Sequence, residues 1–131
     1  MVMTNYVEAS AADWGREVEK SDILTVIYFW HDECPWCLRL NPIFNEVSQE
    51  YAGRIKFVKL NIMVNQANRE IAANYGVMST PTLVFFCHGR PVGQSVGFMP
   101  KEQLEKSLVD VLQRYKTCLS QSTELRPFYI V

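Results

Sequence analysis

The sequence lacks any run of about 18 apolar residues, the length at which a transmembrane helix becomes a candidate, so it predicts no membrane span. Its first residues contain no basic stretch followed by an apolar one, which argues against a signal peptide. Neither charge is in excess, with 13 basic and 14 acidic side chains. Charge therefore gives no reason to expect nucleic acid or an anionic membrane as a partner, and we expect a cytoplasmic, reducing location by default.

Cysteine is scarce too, since the 131 residues include four, at positions 34, 37, 87 and 118. With 48% hydrophobic residues, the chain is able to bury one hydrophobic core without stabilising disulfides or a structural metal. A secreted disulfide framework is therefore a poor interpretation of the four cysteines. Cys87 lies in an apolar run and is expected to be a small buried hydrophobe, with a regulatory thiol as the alternative. Cys118 is expected to be an incidental thiol.

The apolar pattern indicates alternating helices and strands. Residues 23–30 form a continuous apolar, β-branched and aromatic run that suits a central strand covered on both faces. Apolar residues spaced by three or four over 40–51 predict a helix that ends near Gly53 and is kinked at Pro42. Strands are further expected over 6–9 (at an edge), 55–61, 82–87 and 92–97, and helices over 10–20, 66–75 and from Pro100 onward.

The C-x-x-C formed by Cys34 and Cys37 falls between the central strand and the long helix. A cysteine at a helix N-terminus faces unpaired N–H groups and the positive end of the helix dipole, which favour thiolate over thiol. Cys34 is therefore expected to be the exposed nucleophile, and Cys37, one turn further on, the shielded resolving thiol. Pro35 stiffens the turn, and Trp36 is expected to be an exposed contact for a partner or substrate.

A zinc site is the rival interpretation of these cysteines. Structural zinc takes four ligands, usually Cys or His, and His31 lies near the C-x-x-C, while Cys87 and His88 offer further donors. The strand before the cysteines and the helix after them favour redox chemistry instead. We predict a redox site and no metal site.

Around these cysteines the sequence resembles the thioredoxin family over roughly residues 6–115. The matching motifs are Phe29-Trp30, Pro42, Lys59-Leu60-Asn61, Tyr75-Gly76-Val77, Thr80-Pro81-Thr82, His88-Gly89 and Val96-Gly97. The resemblance implies a thioredoxin fold of the α/β class, in which a mixed four- or five-stranded central sheet carries helices on both faces. Residues 1–115 would form this domain, followed by a C-terminal extension over 116–131 that is packed or partly disordered.

The resemblance also implies an enzyme, a protein disulfide oxidoreductase that serves electron transport and cell redox homeostasis. Cys34 would attack a protein disulfide, and Cys37 would resolve the mixed disulfide in a reversible exchange. The redox-active disulfide Cys34–Cys37 would serve without any other cofactor. The implied partners are disulfide-containing protein substrates and a reductase that recycles the pair.

The same resemblance assigns roles to residues outside the C-x-x-C. Pro81 would be cis and pack against the cysteines, and Thr80 would offer backbone groups to an extended substrate. The implied substrate-binding residues are Pro35, Trp36, Thr80, Pro81 and Gly97, and the site-tuning residues are Trp30, Tyr28 and Lys59. Tyr28 stands where the family usually buries an Asp, so Lys59 is expected to lack its partner. The nearby alternatives for a proton relay are His31, Asp32 and Glu33.

Two other functions fit the sequence. The Pro-Trp dipeptide between the cysteines is closer to the Pro-Tyr of glutaredoxins, so a glutathione-dependent exchanger is one alternative. The dipeptide also suggests a potential nearer to about −200 to −230 mV than to the roughly −270 mV of thioredoxin. The other alternative is a binding module that holds a partner in the groove between Trp36, Thr80 and Gly97 without turnover.

Overall fold

A computed structural model describes residues 5–115 and residue 118 of the chain. Helices and strands alternate in it as the apolar pattern predicts, which confirms the α/β class. The elements in chain order are β1 (Tyr6–Ala9), β2 (Thr25–Trp30), α1 (Pro35–Glu50), β3 (Lys56–Asn61), α2 (Gln66–Asn74), β4 (Thr82–Cys87), β5 (Arg90–Val96) and α3 (Lys101–Arg114).

The five strands form one mixed sheet in the order β1-β3-β2-β4-β5. Strands β1, β3 and β2 run parallel, whereas β4 is antiparallel to β2 and β5 is antiparallel to β4. Phe29 near the end of β2 pairs with Thr82 at the start of β4. The loop after β2, which carries Cys34, therefore leaves the sheet at the same end as the Thr80-Pro81 segment that enters β4.

Both faces of the sheet are covered, because consecutive residues of a strand point to opposite faces. Val26 and Tyr28 pack with Phe44 of α1 and Leu104 of α3 in one core cluster. Ile27 and Phe29 belong to a second cluster on the other face, which includes Trp14, Val58 and Ala72 of α2. The prediction of a mixed sheet with helices on both faces is thus confirmed. Among the described residues, no helix combines the length and apolarity that a membrane crossing requires.

The helix expected over residues 10–20 differs in form. It consists of a 3₁₀ turn (Ala11–Asp13) followed by a π-helical turn (Gly15–Glu19). The N–H of Ala11 donates to Asn68 Oδ1 at 2.8 Å, which ties the start of the segment to α2. Gly15 lies where the two turns meet, and glycine is a weak α-helix former. This hydrogen bond and Gly15 together account for a 3₁₀ turn and a π-helical turn in place of one regular α-helix.

The last helix and the segment after it follow the prediction only in part. Pro100 caps α3 from an extended conformation instead of occupying its first helical turn. Leu104 and Leu108 are fully buried, and Tyr115 packs at the edge of the same core. The proposed extension over 116–131 lies outside the described residues except for Cys118, so the domain boundary and the packing of Phe128–Val131 stay predictions.

Candidate functional site

The N-terminus of α1 holds the C-x-x-C. Cys34 is the residue that caps α1, with an extended backbone (φ −95°, ψ 110°), and Pro35 is the first helical residue. A residue before proline is disfavoured in the helical region, and proline at the first helical position lacks only an N–H that would be unpaired anyway. The local sequence Cys-Pro therefore sets the point at which the helix begins.

The two cysteines form a disulfide, with their Cα atoms 5.1 Å apart. The Sγ of Cys34 also accepts the backbone N–H of Cys37 at 3.1 Å. Cys37 is completely buried and Cys34 is 5% exposed. The expectation of an exposed Cys34 is therefore wrong for this oxidised form, in which Cys34 belongs to the same core cluster as Cys37 and Leu40. Cys34 is nevertheless the more accessible of the pair.

The Thr80–Pro81 peptide bond is cis, as the resemblance implies. The carbonyl oxygen of Pro81 accepts the N–H of Gly97 at 2.8 Å, which joins two of the implied substrate-binding residues. Gly97 has φ +96°, a conformation that L side chains rarely adopt. A glycine is thus required where β5 ends beside the cis-proline loop.

Trp36 is 51% exposed, as expected. Its ring packs against Phe98 with 5.4 Å between the centroids, and the guanidinium of Arg39 lies 5.0 Å from the same ring. Neither neighbour was among the site residues predicted from the sequence. Both lie close in sequence to predicted site residues, but only the fold brings them onto one indole.

Exposed apolar side chains lie at this end of the sheet, and their exposure was not predicted from the sequence. Met63 and Val64 follow β3, Met78 precedes the cis-proline, and Val96 ends β5. Met78 is 95% exposed. Large exposed apolar residues grouped on one side of a small protein indicate a contact surface, and these lie at the same end of the sheet as Cys34.

Tyr28 lies beneath the disulfide as a fully buried core residue. Its hydroxyl oxygen is 3.0 Å from the carbonyl oxygen of Cys37 and 2.8 Å from Asn41 Oδ1. Burial raises the pKa of Tyr28, and the negative charge of Glu8 adds to this effect. The hydroxyl therefore keeps its proton and acts as a hydrogen-bond donor to α1.

Lys59 has other partners in place of the carboxylate that the family usually buries at the position of Tyr28. Its Nζ lies 4.0 Å from the centroid of the Trp30 ring and 5.0 Å from that of Tyr6. It also donates to Asn41 Oδ1 at 3.4 Å. Burial lowers the pKa of Lys59, while the charges of Glu8 and Asp32 oppose that shift. Aromatic faces and an amide oxygen thus hold the ammonium group, in place of the single buried carboxylate that is usual in the family.

Glu8 of β1 interacts with both Trp30 and Lys59. Its Oε2 accepts the indole N–H of Trp30 at 3.2 Å. Burial raises the pKa of Glu8, and the Trp30 hydrogen bond and the charge of Lys59 oppose the rise. Its pairing with Trp30 spans 22 positions, so no local motif revealed it.

Two of the three side chains suggested for a proton relay, those of Asp32 and His31, accept hydrogen bonds from groups other than Cys37. Asp32 Oδ2 accepts from the side-chain amide of Asn61 at 3.4 Å, and His31 Nδ1 accepts the N–H of Glu33 at 3.2 Å. Within residues 5–115, the side-chain oxygen that bonds to the backbone of Cys37 belongs to Tyr28.

Substitution of Tyr28 by phenylalanine is expected to lower the free energy of unfolding by about 1 kcal/mol, the usual net value of one hydrogen bond. The loss stays moderate because Lys59 still satisfies Asn41 Oδ1. Urea unfolding measures it, with Tyr75→Phe as the matched control, because Tyr75 is only partly buried on the other face of the sheet. Equal losses in the two variants would contradict a specific role for the Tyr28 hydroxyl.

The other two cysteines form a second disulfide, between Cys87 and Cys118. The descriptions of Cys87 as a simple hydrophobe and of Cys118 as an incidental thiol are therefore wrong. Cys87 ends β4, beyond the pairing of Phe86 with Thr25 at the start of β2. This pair lies at the opposite end of the sheet from Cys34, so a zinc site that joined Cys87 and His88 to the C-x-x-C is excluded by distance.

Comparison with known proteins gives a consistent picture. The family model for Thioredoxin matches residues 5–110. Thioredoxin of Alicyclobacillus acidocaldarius is 39% identical over 98 residues, which cover 75% of this chain and 90% of that protein. Thioredoxin of Haemophilus influenzae is 37% identical over 102 residues, covering 78% and 92%. Thioredoxin 1 of a Nostoc species is 34% identical over 106 residues, covering 81% and 96%.

Proposed function

Because the chain belongs to the thioredoxin family and is a thiol–disulfide oxidoreductase, we propose that Cys34 attacks protein disulfides and that Cys37 resolves the mixed disulfide. One observation carries this assignment. The Cys34 sulfur caps α1 and accepts the N–H of Cys37 at 3.1 Å. A thiolate at this place gains a backbone donor and the positive end of the helix dipole. Cys37 is fully buried one turn further on.

The exchange moves two electrons from the protein to its substrate. The Cys34 thiolate attacks one substrate sulfur, and the other leaves as a thiolate that takes up a proton. Cys37 then loses its proton and attacks the Sγ of Cys34. This step releases the second substrate thiol and forms the Cys34–Cys37 disulfide present in the structure.

The surroundings of the pair support a peptide-like substrate. Trp36 and Met78 offer exposed apolar contacts, at the end of the sheet where the Thr80-Pro81 loop is hydrogen-bonded to Gly97 after β5. Pro35, next to Cys34, borders the same approach. These residues are proposed to bind an extended segment of the substrate, while Tyr28, Lys59 and Trp30 tune the cysteines from below.

Turnover requires that the oxidised pair be reduced again. We propose that a reductase supplies the two electrons and that the reaction takes place in the cytoplasm, where thiols are kept reduced. The substrates are then proteins whose disulfides are to be opened.

The test compares two disulfide substrates under a dithiol reductant. The chain is expected to accelerate reduction of insulin at least about tenfold over the dithiol alone, and to act more slowly on a glutathione mixed disulfide. The potential of Cys34–Cys37, read by mass spectrometry after equilibration with glutathione, is expected between about −270 and −200 mV. Activity on the glutathione disulfide alone would show a glutathione-dependent exchanger, and no turnover on either substrate would show a binding module.

A further inference from the structure

A second group of metal-ligating side chains lies away from the C-x-x-C. Both sulfurs of Cys87 and Cys118 and a ring nitrogen of His88 lie within 4.8 Å of one another. Two of these residues come from the end of β4 and the turn after it, and the third follows α3, at a sequence separation of 31. Cys118 is 2% exposed and Cys87 9%, so the two sulfur-bearing residues are nearly buried, while His88 is half-buried.

The fold holds this group in place from two sides. His88 has φ +53° and Gly89 φ +78°, which turns the chain sharply between β4 and β5. A Cβ atom on Gly89 would lie 2.7 Å from the backbone oxygen of Glu19, so the turn packs closely against that segment. On the other side, the N–H of Cys118 donates to the carbonyl oxygen of Tyr115 at 2.8 Å and turns the chain after α3.

The hydrogen bond of His88 selects its tautomer. Nε2 of His88 lies at hydrogen-bond distance from the carbonyl oxygen of Cys118. A carbonyl oxygen only accepts, so Nε2 carries the proton and a neutral ring has its lone pair on Nδ1. Metal-binding histidines usually donate their other ring N–H to a carbonyl or carboxylate in this way. This tautomer leaves Nδ1 as the ring atom with a lone pair to give to a metal.

We propose that Cys87, His88 and Cys118 form a second site, which binds Zn²⁺ when its sulfurs are reduced and closes as the observed disulfide when they are oxidised. Two thiolates and one imidazole are ligands that zinc prefers, and a set of three protein ligands leaves its fourth position to water. Two sulfurs on one zinc lie less than about 4.6 Å apart, since each Zn–S bond is about 2.3 Å. In the oxidised chain the two sulfurs are bonded to each other, so after reduction they must move apart to about 3.8 Å, the spacing of two sulfurs bound tetrahedrally to one zinc.

The two states differ by two electrons. An external dithiol or phosphine breaks the Cys87–Cys118 bond, and two protons convert the sulfurs to thiols. Zn²⁺ then displaces both protons and is held by two thiolates and Nδ1. A two-electron oxidant such as another disulfide restores the sulfur–sulfur bond, becomes two thiols itself and releases Zn²⁺.

The experiment uses the full chain carrying Cys34→Ser and Cys37→Ser, which removes the other thiol pair. After reduction with a phosphine, the chain is titrated with Zn²⁺ against a chromophoric chelator and with Co²⁺ for sulfur-to-metal absorption. One metal ion per chain and a thiolate–cobalt band are expected. The oxidised chain is expected to bind none, because both sulfurs are then in the disulfide.

Variants separate the site from adventitious binding. Cys118→Ala is expected to abolish stoichiometric binding, and His88→Asn to weaken it at least about tenfold, while asparagine keeps the left-handed turn. His31→Ala alters the other histidine of the chain and is expected to change nothing. Circular dichroism verifies that each variant is folded. Absence of zinc binding in the reduced chain, or binding that survives both Cys118→Ala and His88→Asn, overturns the proposal and leaves only a disulfide.

Discussion

Substitution of Cys34 by serine is expected to reduce turnover of a protein disulfide to the rate of the dithiol reductant alone. The whole acceleration over the dithiol, at least about tenfold, should therefore be lost, because removal of a covalent nucleophile leaves no first step. A serine hydroxyl retains the size of the side chain and its hydrogen bond from the N–H of Cys37, but it does not attack disulfides at neutral pH. Insulin reduction measures the effect.

The matched variant is Cys37→Ser. It keeps the nucleophile and removes the resolving thiol, so the mixed disulfide between Cys34 and the substrate should accumulate. Non-reducing electrophoresis and mass spectrometry detect this adduct, which is expected in Cys37→Ser and absent from Cys34→Ser. Adducts on Cys37 in the Cys34→Ser variant would reverse the proposed roles of the two cysteines.

Removal of the second disulfide, by Cys87→Ala with Cys118→Ala, is expected to lower the free energy of unfolding of the oxidised protein by about 3–4 kcal/mol. The bridge spans a sequence separation of 31, and without it the unfolded chain regains the entropy of that loop. The melting temperature should fall by roughly 10–15 °C. Calorimetry without reductant or zinc measures both quantities.

A reduced chain provides the control for that experiment. The Cys34→Ser and Cys37→Ser double variant retains only the Cys87–Cys118 bridge, so a reductant should destabilise it by a similar amount. The variant with Cys87→Ala and Cys118→Ala has no such bridge, so a reductant should not lower its stability by opening it. An unchanged melting temperature on loss of Cys87 and Cys118 would show that the bridge adds no stability to the folded protein.

The sequence was most informative where one local pattern decides the structure. Strand β4 was predicted at its observed bounds because six consecutive apolar or β-branched residues form a strand buried on both faces. The position of Cys34 followed from a cysteine and a proline that begin a helix after such a strand. In these cases the deciding contacts lie within a few residues along the chain.

Contacts between distant segments were not predictable in the same way. Lys59 meets Trp30, Tyr6 and Asn41 because β3, β2, β1 and α1 converge, and no periodicity encodes that meeting. The Cys87–Cys118 bridge was not predicted for the same reason. Cys118 follows the last helix with a regular apolar spacing, so no local pattern placed it beside Cys87. Single cysteines appear incidental until the fold places them together.

The antiparallel pairing of β2 with β4 has a kinetic consequence. The pairing places the two disulfides at opposite ends of a six-residue strand, about 20 Å apart at roughly 3.4 Å per residue, whereas exchange requires sulfurs in contact. Electrons therefore cannot pass from one pair to the other within a molecule, and any such transfer is bimolecular, with a rate that rises with protein concentration. The chain accordingly has four redox forms. Alkylation gives the two half-reduced forms the same mass, so peptide mapping is needed to tell them apart.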